Sequence, residues 1–149
     1  MTPREEANVR LVMEHFAAES RHDYPATLAT LADDIEYRMI PGDTVMRGQH
    51  EVTRYYDAWW AAFPDVTIDV KRVSAAGDWV IAESVSTATH LGPFMGMAPT
   101  GKRVISHICT LIRVHEGKMV EEIVYYDRLE RLAQIGSVFE VDGQRIDPR

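Results

Sequence analysis

Four β-rich segments follow one another from residue 66 to residue 126, at 66–75, 79–91, 102–115 and 119–126. They are dense in Val, Ile, Thr and Tyr. Gly77-Asp78 joins the first pair and Glu116-Gly117-Lys118 the last, both hairpin signals. A meander of this kind has an apolar face that another layer must cover. The first half of the chain supplies that layer. Thr2, Pro3 and Glu5 form a helix start with a capping box, and Val9, Val12, Met13, Phe16 and Ala17 follow at helical spacing as its buried face. A short helix over 25–32 and a strand over 35–39 come next, then a turn at Pro41-Gly42-Asp43. A third helix spans 48–63. Val52, Tyr55, Tyr56, Trp59, Trp60 and Phe63 make an aromatic stripe along it, and Pro64 stops it. A last helix covers 127–134 and ends at Gly136; the tail adds a short strand over 138–141 before fraying. The order predicts an α+β domain in which one curved antiparallel sheet wraps around N-terminal helices as a cone with an interior. The domain is single, with a core over about 4–136 and a tail over 137–149.

Composition narrows the function classes. The 149 residues carry 16 basic and 23 acidic side chains, a net charge of -7, so there is no basic stripe for nucleic acid. No apolar run approaches the roughly 20 residues that span a bilayer, and the N-terminus has no signal-peptide core. One cysteine, Cys109, excludes an internal disulfide and a cysteine zinc cluster. The six histidines form no compact ligand set, so no metal is expected. Gly92, Gly96 and Gly101 are too widely spaced for a dinucleotide loop, and without a Gly-x-Ser-x-Gly elbow a serine hydrolase is not indicated. A cytoplasmic enzyme or small-molecule binder remains.

The last hairpin allows a register argument. With a three-residue loop over Glu116-Gly117-Lys118, Arg113 faces Glu121, Leu111 faces Ile123, Cys109 faces Tyr125 and His107 faces Asp127. Cross-strand partners share a face at about 5 Å. A two-residue loop shifts the pairing by one and separates His107 from Asp127. Together they would form an acid–base dyad, with Asp127 made more basic by an apolar cavity and held by His107. The alternative is structural: Asp127 opens a helix with Glu130 three residues on, a capping pattern. His90 stands at the rim where the long loop over 92–101 begins, as a catalytic candidate or as a histidine bonded to loop backbone. Phe94, Met95 and Met97 close the mouth of the cone or simply pack under the loop. Tyr37, Tyr56, Trp59, Trp60 and Tyr125 are candidate pocket walls, as are Phe94 and Met97; the helix-3 aromatics equally read as core.

Three segments carry a family resemblance. Thr87-Ala88-Thr89-His90-Leu91-Gly92-Pro93-Phe94 resembles a strand ending in Thr-His-x-Gly-x-Phe. Met97-Ala98-Pro99-Thr100-Gly101-Lys102-Arg103-Val104 resembles a Pro-Thr-Gly-Lys/Arg stretch. Gly117-Lys118-Met119-Val120-Glu121-Glu122, continuing to Asp127, Leu132, Gln134 and Gly136, resembles a Gly-Lys-Ile-x-Glu…Asp…Gln-Leu-Gly ending. In this order they resemble the SnoaL-like polyketide cyclase (ester cyclase) family of the nuclear transport factor 2-like superfamily. Ile123 stands where the family often has Trp, and Ile135 where Leu is common. The resemblance implies a conical cystatin-like α+β barrel, a homodimer joined through the sheets, and a hydrophobic small-molecule substrate. It also implies cofactor-free intramolecular aldol ring closure with Asp127 as acid/base group, His107 supporting it and His90 at the rim. Epoxide hydrolysis, isomerisation in the same cavity, and ligand binding without turnover are the alternatives. Fold alone does not choose among them.

Overall fold

The computed structural model of the chain describes residues 1–42 and 44–146. Asp43 of the expected turn and the last three residues lie outside the described residues. Helix α1 (Pro3–Ser20) begins with the expected box: Thr2 accepts from the Glu5 N–H at 3.3 Å and Glu5 accepts from the Thr2 N–H at 2.8 Å. The Glu5 carboxylate also accepts from the Gly77 N–H at 2.9 Å, tying the helix start to a hairpin turn. The buried face of α1 is rotated from the expected one. Asn8, Val12, His15, Phe16, Ala18 and Glu19 point inward, while Met13 and Ala17 are exposed. Buried polar side chains on a helix face are the more informative observation, because their burial needs a reason.

Helix α2 (Tyr24–Thr30) is capped by Asp23, which accepts from the Ala26 N–H. It stops two residues before the expected end, and strand β1 (Leu31–Ile40) starts at once, longer than the expected 35–39. Strand β2 (Thr44–Arg47) was not foreseen; it is only four residues long and pairs with β1 from Glu36↔Arg47 to Met39↔Thr44. Helix α3 (Gly48–Ala62) follows directly. The meander is β3 (Thr67–Ala76), β4 (Trp79–Thr89), β5 (Arg103–His115) and β6 (Lys118–Tyr126). Helix α4 (Arg128–Gln134) closes it.

The six strands form one sheet in the order β2-β1-β6-β5-β4-β3. The expectation of an entirely antiparallel sheet needs one correction: β1 lies parallel to β6. A parallel pair needs a long connection, and everything from β2 to β5 supplies it. Helices α1 and α3 fill the concave side, where Val12, Ile35, Val52, Tyr56, Phe63 and Ile112 are completely buried. In place of the expected fraying, the tail folds as a hairpin of β7 (Phe139–Val141) and β8 (Gln144–Ile146). Among the described residues, no helix is long and apolar enough to cross a membrane.

Candidate active site

The β5–β6 register arises by a route other than the expected one. The turn has two residues, Glu116 and Gly117, both at positive φ, so His115 pairs with Lys118 and Val114 with Met119. Val120 is then an extra residue on β6, and this bulge restores the pairs Arg113↔Glu121, Leu111↔Ile123 and Cys109↔Tyr125. His107 and Asp127 therefore do reach one region.

That region is the outer face of the sheet rather than the interior. Along β5 the buried residues are the even ones, Val104, Ser106, Thr110, Ile112 and Val114, whereas His107 and Cys109 are exposed. Asp127, His107 and Tyr125 line an outer hollow of about 630 Å³. No hydrogen bond joins Asp127 to His107; the Asp127 carboxylate accepts from the Glu130 N–H at 2.9 Å and caps α4. Asp127 is exposed and not enclosed in the interior, because strand alternation turns its position outward; its neighbours in the outer hollow include Pro41, Ile108 and Leu129. Asp127→Asn keeps a good cap and leaves stability unchanged, whereas Asp127→Ala costs about 1 kcal/mol of unfolding free energy, measured by urea denaturation.

His90 is fully buried at the rim. It contacts Thr100 Oγ1 through Nδ1 at 3.0 Å, packs on Phe63, and exchanges backbone bonds with Gly101 and Lys102. Tyr56 and Trp60 stack in the core at 5.0 Å between ring centroids. Met97 accepts from the Ser137 hydroxyl, and Phe94 packs edge-on against Trp59 and Phe63. Of the expected pocket residues, Tyr37 and Trp59 line the interior.

The interior cavity measures about 50 Å³, room for a few water molecules. Phe16 and Glu19 of α1, Tyr55 and Trp59 of α3, Glu122 of β6 and Arg131 of α4 contribute to its wall. Tyr55 and Trp59 also line a hollow of about 230 Å³ under Pro93, Phe94 and Met95, so these two rings separate the cavity from the rim. A substrate larger than a few waters must displace them.

Three titratable groups missed by the sequence reading converge on the helix side of this cavity. His15 lies four residues before Glu19 on α1, and Glu122 faces them from β6. The Glu19 and Glu122 Oε2 atoms lie 3.9 and 3.8 Å from His15 Nε2. Thr30 donates to the Thr27 carbonyl at 2.6 Å, so its oxygen accepts from His15 Nδ1–H at 2.7 Å. Nε2 thus carries the lone pair and takes the long contact from the Tyr56 hydroxyl, 3.4 Å. Burial pushes His15 down to about 4, so the ring is neutral and the two carboxyl contacts are not ion pairs at neutral pH. Burial pushes the Glu19 carboxyl up to about 8. It pushes Glu122 well up too, with the nearby Glu19 charge adding to the effect. The Glu122 Oε2 is buried with no hydrogen-bond partner among the described residues.

The neutral imidazole has a stability consequence. A group whose folded pKa is depressed costs stability as pH falls through the window between its unfolded and folded values. For His15 that window runs from 6.5 to about 4. His15→Gln keeps a donor for Thr30 and gains no proton; it is expected to reduce the acid-side loss by about 3 kcal/mol, read from denaturation at both ends of the window.

The sequence profile of the SnoaL-like polyketide cyclase family matches residues 7–135, and the chain belongs to that family. Among solved structures it is similar to AclR of Streptomyces galilaeus, a candidate hydroxylase. That pair shares 29% identity at a TM-score of 0.80, over 92% of this chain and 89% of that one. It is similar to IdmH of Streptomyces antibioticus, a candidate polyketide cyclase, with 25% identity and a TM-score of 0.76 over 87% and 99% of the two chains. An LEH-like epoxide hydrolase of M. tuberculosis shares the fold, with 20% identity and a TM-score of 0.73 over 89% and 92%. A comparison with curated proteins found no match.

Proposed function

We propose that the protein is a cofactor-independent acid/base enzyme of the polyketide cyclase type, with Glu19 and Glu122 as its catalytic pair. The observation that carries this reading is the unpartnered Glu122 oxygen in the cavity wall beside a second buried carboxyl. Two such carboxyls, both pushed up by burial, lose their first proton long before their second. The singly protonated pair is a base and an acid in one site.

In an intramolecular aldol closure, the ionised carboxylate takes the proton from a carbon beside a carbonyl. The resulting enolate carbon bonds to a second carbonyl carbon of the same molecule. The new alkoxide takes the proton of the neutral carboxyl, and the pair is again singly protonated with the roles exchanged. His15 positions the pair without adding charge, because its ring is neutral. The narrow cavity folds the substrate so that its reacting carbons meet. The outer face, with Ile81, Ile105, Tyr125 and Leu129 exposed, suits the homodimer implied by the resemblance.

The test uses Kemp elimination of 5-nitrobenzisoxazole, which reports a buried carboxylate base by absorbance. Wild-type protein and Asp127→Asn are expected to catalyse it equally, and Glu122→Gln to lose the activity. Loss in Asp127→Asn with retention in Glu122→Gln would return the role to the outer site.

A further inference from the structure

Arg131 is a buried cation with no carboxylate partner among the described residues. It is 4% exposed and lines the cavity. Its Nε donates to Ser106 Oγ at 3.1 Å. Its guanidinium carbon lies 4.0 Å from the Tyr126 ring centroid and 4.8 Å from that of Trp59. Among the described residues no carboxylate pairs with it, in contrast to Arg4, Arg38, Arg72 and Arg113, each of which has an acidic partner near the surface. A buried cation is normally paired, because burial without an anion is costly.

The surroundings specify what would complete it. The two rings fix the guanidinium at its faces, and Ser106 takes one of its five N–H donors. The remaining donors form a planar fork suited to a carboxylate. The other ionisable groups lining this cavity are the two raised carboxyls, neutral in mildly acidic solution, and two phenols, Tyr37 and Tyr55. The cavity then holds one net positive charge.

We infer that Arg131 is the anchor for a carboxylate on the substrate, so that the substrate class is a keto acid rather than a neutral ketone or ester. The inference rests on the reading of this cavity as the substrate site and adds the group that orients the chain. With its carboxylate on Arg131, a substrate shares the cavity with the Glu19–Glu122 pair, which can then reach its carbonyl-bearing carbons. Charge matching excludes neutral analogues of the same shape, since they leave the cation unpaired.

The test compares benzoate with methyl benzoate at about pH 6, below the Glu19 value of about 8. Binding is read by calorimetry and by quenching of the tryptophan fluorescence, to which Trp59, whose ring lies against Arg131, contributes. Benzoate is expected to bind the wild-type protein at least about tenfold more tightly than the ester. Arg131→Gln is expected to abolish the preference and Arg131→Lys to retain part of it. Equal or tighter binding of the ester, or no binding of benzoate up to about 10 mM, overturns the inference. The wild-type comparison needs no variant, so a misfolded Arg131→Gln leaves it decisive. Glu122→Gln is expected to keep the benzoate preference while losing turnover, which separates failure of the anchor from failure of the acid/base pair.

Discussion

Glu122→Gln is expected to lose Kemp elimination by about 10²–10⁴-fold and, at pH 8, to unfold at a higher temperature than the wild-type protein. Both effects come from one fact, the placement of a carboxyl where its charge is unwelcome. Glu122 is 2% exposed and its Oε2 has no hydrogen-bond donor among the described residues. A carboxyl with a raised folded pKa binds more protons folded than unfolded, so stability falls as pH rises from the ordinary 4.5 toward the folded value. Gln has the same shape and never ionises. The variant therefore escapes the loss at pH 8 and gains little at pH 4, where Glu122 is neutral in both states. A merely structural Glu122 held by partners would show the reverse, with the variant less stable at every pH. Gain of stability with loss of activity is the pattern expected when a functional site is bought at the expense of the fold.

Gly92→Ala is expected to cost about 3 kcal/mol, a fall in melting temperature of roughly 6–12 °C for a domain of this size. A β-carbon on Gly92 would lie 2.0 Å from the Ala61 carbonyl oxygen, 2.8 Å from its carbon and 3.1 Å from Ala62 Cα. These are backbone atoms at the end of α3, and they have no rotamer by which to yield. The loop cannot retreat freely either, because the Leu91 and Gly92 N–H groups both donate to the Ala62 carbonyl, at 2.9 and 3.1 Å. Gly96→Ala is the control. Gly96 has a φ of +78° and open space around it, so only backbone strain of about 1 kcal/mol is expected there. Thermal denaturation of the two variants checks the difference. Because Gly92 sets the path of the loop that brings Phe94 onto Trp59, Gly92→Ala is also expected to loosen the partition between the rim and the cavity.

Most of the frame was legible in the residues. The Thr2–Glu5 box, the aromatic helix and the hairpin turns each had a local signal, and each is where the periodicity puts it. Strand β2 had none, since four residues beside a turn show no alternation and gain their structure only by pairing with β1. The parallel β1–β6 pair is a long-range choice that no local pattern encodes. The β5–β6 register shows how two local features can cancel: a turn one residue shorter than expected and a bulge at Val120 return the same pairs beyond it.

The site was less legible for a related reason. Register arithmetic brought His107 and Asp127 together but said nothing about which face of the sheet they occupy. The burial of Ser106, Thr110 and Glu122 answers that, and puts the dyad outside. On α1, the apolar face through Val9, Met13 and Ala17 outweighed the face that carries His15 and Glu19. A signal did exist. Val12, His15, Phe16 and Glu19 stand at helical spacing, and a His and a Glu inside an apolar stripe are hard to explain as packing. Arg131 likewise lies on a helix of seven residues, too short for periodicity to assign a face.

The central claim is that Glu19 and Glu122 form a neutral or singly protonated pair in the interior at neutral pH. A 13C NMR titration of the glutamate side-chain carboxyl groups, in wild-type protein and in Glu122→Gln, measures it without a substrate. The account predicts two glutamate resonances titrating above the ordinary 4.5, one of them at about 8 and the other well raised, with one of the two missing in Glu122→Gln. Titration of every glutamate near the ordinary value of 4.5 would contradict it.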